Sequence, residues 1–350
     1  MPDTVPVTMR AAVLRAPTGL EVEDRPVPGL GAHDVLLEVS HCGVCGSDLH
    51  FVLDGWGRPG SIEGHEYSGR VVAVGPDVTR WSVGDGVVGG PSRRCGECEY
   101  CRAGRPSLCT RRGTIGEGDT QFQGGFAQYK SSHEAELLAL PDTLSLRAAA
   151  LTEPLAVALH GMTRAGLRAG QRLLVTGAGP IGALTVAAAA ARGVTDVVVS
   201  EPSPARRALA EALGAEAVTP DQLVAPASPN FVHDAGFDVA IECSGRADAM
   251  EAALGQLRRA GTLVLVGAGI APPRFDPNRI LLNELVITGA FTYDAGGFEA
   301  ALELLSAPGF PVDRLIHADD VPLDGLYSAV EQLAAGEIAA KVMVSPSKGL

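Results

Sequence analysis

Apolar residues come in short blocks through the first third of the chain. Val35–Val39, Gly69–Val74 and Gly86–Val88 are aliphatic runs broken by Gly, Pro and Asp, the punctuation of short strands joined by turns. From Gln171 the texture changes. RLLVTGAGPIGALTVAAAAARG reads as an apolar strand, a glycine turn and a small-residue helix. DVVVSEPSPARRALAEALGA repeats that plan, with Pro204 at a helix start and Gly214 at its end. FDVAIECSG and GTLVLVGAG read as further buried strands, with a helical stretch over 247–259 between them. Continuous apolar strands alternating with helices predict a parallel sheet covered on both faces. After Tyr293 the pattern is mixed again: FEAALELLSA reads as a helix and AAKVMVSP as a closing strand. The expectation is an α/β chain with three parts. Residues 1–155 form a β-rich domain, 156–293 a doubly wound nucleotide-binding domain, and 294–350 return to the first.

Composition changes this picture little. At 350 residues the length suits about two domains, and 46% apolar content supplies a core. The net charge of −13 argues against a nucleic-acid partner, which calls for a basic patch. The start, MPDTVPVTMR, has no apolar stretch of the signal-peptide kind. The uncharged run 173–191 has the length of a membrane span, but Gly177, Gly179, Pro180 and Gly182 interrupt it, so strand, turn and helix explain it better. A cytoplasmic protein acting on a small molecule, with no membrane partner, is expected.

Four of the seven cysteines crowd into RRCGECEYCRAGRPSLC, within the loop 93–110. The spacing C-x2-C-x2-C-x7-C suits convergence of Cys95, Cys98, Cys101 and Cys109 on one ion. Four thiolates in a tetrahedron make a closed, structural zinc site. A disulfide framework belongs to short, cysteine-dense secreted chains, which this is not.

Gly177-Ala178-Gly179-Pro180-Ile181-Gly182 is G-x-G-x-x-G. The pattern alone is weak, but here it follows an apolar strand, opens a helix, and is followed by Glu201 at the end of the next strand. That is the setting of a dinucleotide site, with the pyrophosphate on the helix N-terminus and the acid on the ribose hydroxyls. Glu201 would repel a 2′-phosphate and so favours NAD over NADP. Arg206 and Arg207 pull the other way, since either could reach a phosphate.

A second group of donors lies in CGVCGSDLH, GHEYSG and TEPLAVALH. Cys45, His65 and a carboxylate would suit a catalytic zinc with an open position. Cys42 reads as a buried small thiol, Ser47 also as a helix cap, and His50 also as an exposed helix residue.

With GVCGSD, GHEYSG, the four-cysteine loop and GAGPIG in that order, the chain resembles the zinc-dependent medium-chain alcohol dehydrogenases from end to end. The resemblance implies a GroES-like catalytic domain around a Rossmann domain, with the active site in the cleft between them. It implies one catalytic and one structural zinc per chain. A proton relay through Ser47 and His50 follows, with Asp48 as partner of a zinc-bound His65. For the remaining catalytic ligand, Glu153 stands where sorbitol, butanediol and threonine dehydrogenases have an acidic residue, and Glu66 directly follows His65. Either can approach the ion. A carboxylate there suits substrates with two donor atoms, so a polyol, diol or amino alcohol oxidised to a ketone is expected. A general zinc alcohol dehydrogenase acting on simple, aromatic or cyclic alcohols, with NADP, is the alternative. A crystallin-like or scaffold relative would lack a ligand, and none is missing. Phe51, Trp56, Phe122, Phe291 and Tyr293 are candidates for the pocket wall. NELVITGAF reads as an edge strand of the kind the family pairs between subunits, so a homotetramer or a homodimer is expected.

Overall fold

The computed structural model describes residues 5–16, 18–90, 94–112 and 123–349. Arg93 at the start of the cysteine loop and the pocket candidate Phe122 lie outside them. Strands β1 (Thr8–Leu14) and β2 (Leu20–Pro26) pair antiparallel. Strands β3 (Asp34–Gly43), β4 (Glu66–Val74), β5 (Gly86–Gly89), β6 (Tyr129–His133) and β7 (Leu137–Ala139) follow. They make an antiparallel sheet in which β3 is central: β4 lies on one edge and β6 on the other. Val35, Leu36, Leu37 and Val39 of β3 are all buried, with Glu38 between them exposed, which is why this strand reads as mostly apolar.

The second sheet contains β8 (Arg172–Thr176), β9 (Asp196–Ser200), β10 (Glu216–Val218), β11 (Phe237–Glu242), β12 (Leu257–Leu265) and β13 (Val286–Gly289). All neighbours are parallel, in the order β10-β9-β8-β11-β12-β13. The order reverses between β8 and β11. In open parallel sheets a ligand crevice opens at that switch point, beyond the carboxyl ends of the strands. The helix Pro180–Ala191 leaves the end of β8, and its Ala-rich body is buried from Gly182 to Ala189. The short strand β14 (Met343–Val344) then returns to β3 at Cys42 and Gly43, on the same strand that pairs with β6.

Two expected elements differ in extent. The helix before β12 stops at Gln256, and Leu257–Arg259 belong to the strand. Leu257 already pairs with Phe237, and residues 258–261 bulge out before Thr262 meets Val239, with Ala260 in the left-handed region at φ 58°. The closing strand is only two residues long; the backbone of Lys341 before it bridges Ile316 instead of β3, and its side chain reaches a buried carboxylate. Among the described residues no helix is long and apolar enough to cross a membrane.

Candidate metal centres and cofactor cleft

The thiols of Cys95, Cys98, Cys101 and Cys109 lie within 4.8 Å of one another, and none is in a disulfide. The sulfur of Cys95 is 3.6 Å from that of Cys109 and 3.9 Å from that of Cys101. Four thiolates tetrahedrally placed about 2.3 Å from zinc would sit about 3.8 Å apart. The set therefore has the size of a zinc cage and not of a disulfide. Backbone N–H groups already face it: Cys98 donates to the Cys95 sulfur at 3.3 Å and Cys95 to the Cys109 sulfur at 3.5 Å. Such bonds favour thiolate, and backbone N–H groups lower the Cys98 thiol to about 6. The loop is tied to the rest of the chain by Asp294, which accepts from Arg105 at 2.7 Å and from the Ser107 hydroxyl at 2.6 Å.

The second cluster is built by β3, the helix Gly46–Leu53 and β4. Cys45 is the N-cap of that helix, so capping does not fall to Ser47, which is half-buried on the first turn. Asp48 on the same turn is fully buried and accepts from the Cys45 N–H at 2.8 Å. Its other oxygen has no partner and stands 4.0 Å from His65 Nδ1. A histidine ligating through Nε2 would present Nδ1–H to that oxygen, the usual support for a metal-bound imidazole. Burial raises Asp48 to about 6, with His65 working the other way.

Ligand atoms of Cys45, His65 and Glu66 lie within 4.8 Å of one another. Glu66 at the start of β4 is fully buried and packs on Gly43, where an added Cβ would lie 2.2 Å from Glu66 Oε2. One Glu66 oxygen takes the Lys341 ammonium at 2.7 Å, and the other is buried without a partner. Glu153, on the first turn of the helix Thr152–Ala165, is 3% exposed and accepts no hydrogen bond among the described residues. Burial pushes it up to about 7, while His65 pulls it down and Glu66 pushes it further up. It approaches the same center electrostatically, but it is not in the three-residue set. A thiol, an imidazole and a carboxylate with an unshared oxygen are the donor set that zinc takes, so the residues fit the ion.

His50, on the last turn of the Gly46–Leu53 helix, is held on three sides. Nδ1 bonds Asp54 at 2.6 Å, the ring stacks on Trp56 at 4.5 Å, and Nε2 lies 3.4 Å from the Ala268 carbonyl of the nucleotide domain. Trp56 is thus part of the histidine's support. Phe291 is half-exposed beneath the Arg112 guanidinium, 4.2 Å away.

The glycine turn has the expected form. Gly177 adopts φ 88°, and a Cβ on Gly182 would stand 2.0 Å from the Gly177 carbonyl, so helix and strand touch there only without side chains. Gly179 is the N-cap of the helix, and Pro180 and Ile181 form its first turn. Glu201 is buried and accepts from the Ala178 N–H at 2.7 Å and the Ser203 N–H at 2.8 Å. The carboxylate is therefore fixed against the glycine turn. Arg206 is anchored through Nε and Nη2 on the carbonyls of Ile338 and Leu333, with Nη1 4.0 Å from where a Cβ on Gly179 would be. Arg207 bonds the carbonyls of Glu201 and Pro202.

Sequence reasoning missed Lys341, Asp54 and Asp294. A lysine inside the apolar run AAKVMVSP was the visible signal for the first. Nothing in the linear sequence marks the other two.

Residues 31–142 match the alcohol dehydrogenase GroES-like domain family and residues 180–307 the zinc-binding dehydrogenase family. The chain is 34% identical to sorbitol dehydrogenase of Bacillus subtilis (strain 168), over 99% of this chain and 100% of the relative. It also resembles two solved structures. A zinc-binding dehydrogenase of Sinorhizobium meliloti 1021 bound to NADP has a TM-score of 0.85 at 32% identity, covering 97% of this chain and 100% of that one. The 2R,3R-butanediol dehydrogenase of Bacillus subtilis has a TM-score of 0.81 at 31% identity, with the same coverage.

Proposed function

Since the chain belongs to the zinc-dependent medium-chain alcohol dehydrogenases, we propose that it oxidises a secondary alcohol bearing a second polar group to the ketone and passes the hydride to NAD. A polyol, diol or amino alcohol is the substrate class. The observation that carries this reading is the pair of buried carboxylates, Glu66 and Glu153, beside Cys45 and His65. A site with oxygen donors in place of a second thiolate keeps a hard ion, and such an ion favours oxygen-rich substrates.

Cys45, His65 and a carboxylate would hold the catalytic zinc, which supplies Lewis-acid polarisation of the alcohol oxygen when bound. Cys95, Cys98, Cys101 and Cys109 would hold the structural one. Asp48 keeps His65 in the tautomer that leaves Nε2 free. Ser47 takes the alcohol proton and His50 receives it nearer solvent, with Asp54 fixing which ring nitrogen is open. Gly177–Gly182 and Arg206 Nη1 cradle the pyrophosphate, and Glu201 accepts from the adenosine ribose. Glu201 favours NAD. Arg207, bonded to the carbonyl of Glu201, is the feature that favours NADP, and a titration with both cofactors decides.

Subunits pair through β13, which ends its sheet with Val286 half-exposed and Leu281 and Leu282 exposed on the preceding helix. A dimer or a tetramer results, in a reducing compartment such as the cytoplasm that keeps the thiols free. Domain limits of 1–155, 156–293 and 294–350 fit the two sheets. The test is a panel of primary and secondary alcohols, diols, polyols and amino alcohols read by NADH formation. A simple primary alcohol that outruns every diol and polyol defeats the reading.

A further inference from the structure

At the amino end of the parallel sheet, opposite the cofactor cleft, β12 begins LRRAG, two arginines ahead of an apolar run. Consecutive side chains of a regular strand point to opposite faces. Arg258 and Arg259 nevertheless line one open cleft of about 690 Å³, because the strand bulges between its pairs with Phe237 and Val239. The bulge holds Ala260 in the left-handed region at φ 58°, where any residue but glycine stores strain.

The facing wall is the loop before β11, which contributes Phe231, His233 and Asp234. This loop is tied down from behind. The buried Arg279 donates to the Phe231 carbonyl at 2.6 Å and to the carbonyls of Gly255 and Leu257 at 2.6 and 3.2 Å, so one guanidinium joins the loop to the start of the bulged strand. Asn283 donates to the Pro229 carbonyl at 2.8 Å. The two walls are therefore fixed relative to each other.

The polar groups of the cleft are unevenly used. Both oxygens of Asp238 are engaged: one takes Arg258, and the other accepts from the Arg172 N–H at 2.7 Å. The Arg258 side chain is still 57% exposed. Arg259 is exposed, and its side chain makes no hydrogen bond or ion pair among the described residues. His233 meets Phe231 edge to face at 5.1 Å, and its Nε2 is sealed without a partner, so Nδ1 is the nitrogen open to the cleft. Phe231 keeps 41% of its surface in solvent. The exposed Asp234 is the opposing charge. Guanidiniums with donors to spare match phosphoryl oxygens, and an exposed aromatic face beside them takes a ring.

We propose that this cleft is a second ligand site, separate from the metal and cofactor sites, for a phosphate monoester that carries a ring. Arg258 and Arg259 donate to the phosphoryl oxygens, His233 Nδ1–H donates to a third, and Phe231 packs on the ring. Asp234 opposes the anion and holds its affinity below what the arginines alone would give.

The probes are phenyl phosphate and inorganic phosphate. Each is titrated by calorimetry into zinc-loaded protein saturated with NAD, so that the cofactor cleft is already filled. One site per chain is expected, with phenyl phosphate the tighter ligand. Arg259→Gln weakens both probes by about tenfold or more. Phe231→Leu weakens phenyl phosphate and leaves inorganic phosphate within about twofold. Asp234→Asn acts in the opposite direction and tightens both by about threefold, a gain that a damaged fold does not produce. Arg168→Gln, at an exposed arginine outside the cleft, leaves both unchanged. No binding at millimolar phenyl phosphate overturns the inference, and so does equal affinity for the two probes. Binding that Arg259→Gln and Asp234→Asn leave untouched places the ligand elsewhere and overturns it too.

Discussion

Lys341→Met tests how the catalytic center balances its charge. The lysine is 1% exposed and Glu66 fully buried, so the pair is desolvated. The ammonium donates to Glu66 at 2.7 Å and to the Val44 carbonyl at 2.9 Å. Burial disfavours the charged lysine, yet Glu66, Cys45 and Glu153 outweigh it and raise its pKa. Methionine fills similar volume but leaves Glu66 as a buried carboxylate with neither oxygen satisfied. Removing one partner of such a pair costs about 3–5 kcal/mol. With an unfolding entropy of about 2 cal/mol/K per residue, a chain this long should lose about 4–7 °C in Tm. Adding Glu66→Gln removes the stranded charge, so the double variant should recover much of that loss. Bound zinc gives Glu66 another cation, so the loss should be smaller in the loaded protein than after chelation. Differential scanning calorimetry on wild type, both single variants and the double variant, each with and without chelator, gives every number. A shift below about 1 °C after chelation, or losses that simply add in the double variant, refutes the coupling.

Other perturbations follow from the same geometry. Cys98→Ser should cost one zinc per chain and lower Tm, while kcat/KM measured below the transition stays near wild type; unchanged metal content contradicts the cage. Glu201→Ser with Pro202→Arg should move the NADP-to-NAD ratio of kcat/KM upward by about tenfold or more, and a wild type that already favours NADP contradicts the role of Glu201. Burial pushes Glu242 up to about 7 against its bonds from Ser244 and Gly245. A carboxyl whose folded pKa exceeds its unfolded value of 4.5 holds a proton the unfolded chain has released, so its contribution falls as pH rises from about 4.5 to 7. Glu242→Gln should flatten that slope by up to about 3 kcal/mol, read from denaturant melts at pH 5 and 8. Val286→Lys places a charge on the exposed edge of β13 and should give monomers by light scattering, while an unchanged mass rules that edge out as the contact.

Much of the architecture was legible because it is local. Apolar runs with glycine turns mark β8, β9, β11 and β12, and the alternation with helices requires parallel pairing. The cysteine loop was legible because all four ligands fall within fifteen residues, so spacing alone limits their geometry. The catalytic center was legible only in part, since its groups come from four separate segments. Cys45 and His65 sit in motifs, but Lys341 reaches Glu66 across 275 residues and Asp294 reaches Ser107 across 187. No periodicity encodes such contacts. Helix ends were misjudged where a tertiary pairing took over: Leu257 has helical neighbours in sequence but a strand partner in Phe237. The alternative of Ser47 as a helix cap fails because the turn places Cys45 at the N-cap.

The charge of the center explains why two glutamates remained ambiguous as ligands. Cys45, Asp48, Glu66 and Glu153 are four acidic groups in one largely buried region, against Lys341 and His65. The protein alone cannot ionise them all cheaply, and burial accordingly lifts Asp48 to about 6 and Glu153 to about 7. Glu66 is paired with Lys341 at 2.7 Å, whereas Glu153 makes no ion pair among the described residues. A divalent ion in the Cys45–His65 set would favour the charged form of both glutamates, but Glu66 would have to share its charge with an existing partner. Glu153 would not. Glu66 holds Lys341 through one oxygen and keeps the other unpaired beside Cys45 and His65, so the lysine leaves it a donor atom, whereas Glu153 stands outside that set. Lys341, a residue near the far end of the chain, is bonded to one of the two candidate carboxylates, and no motif around His65 or Glu153 reveals that contact.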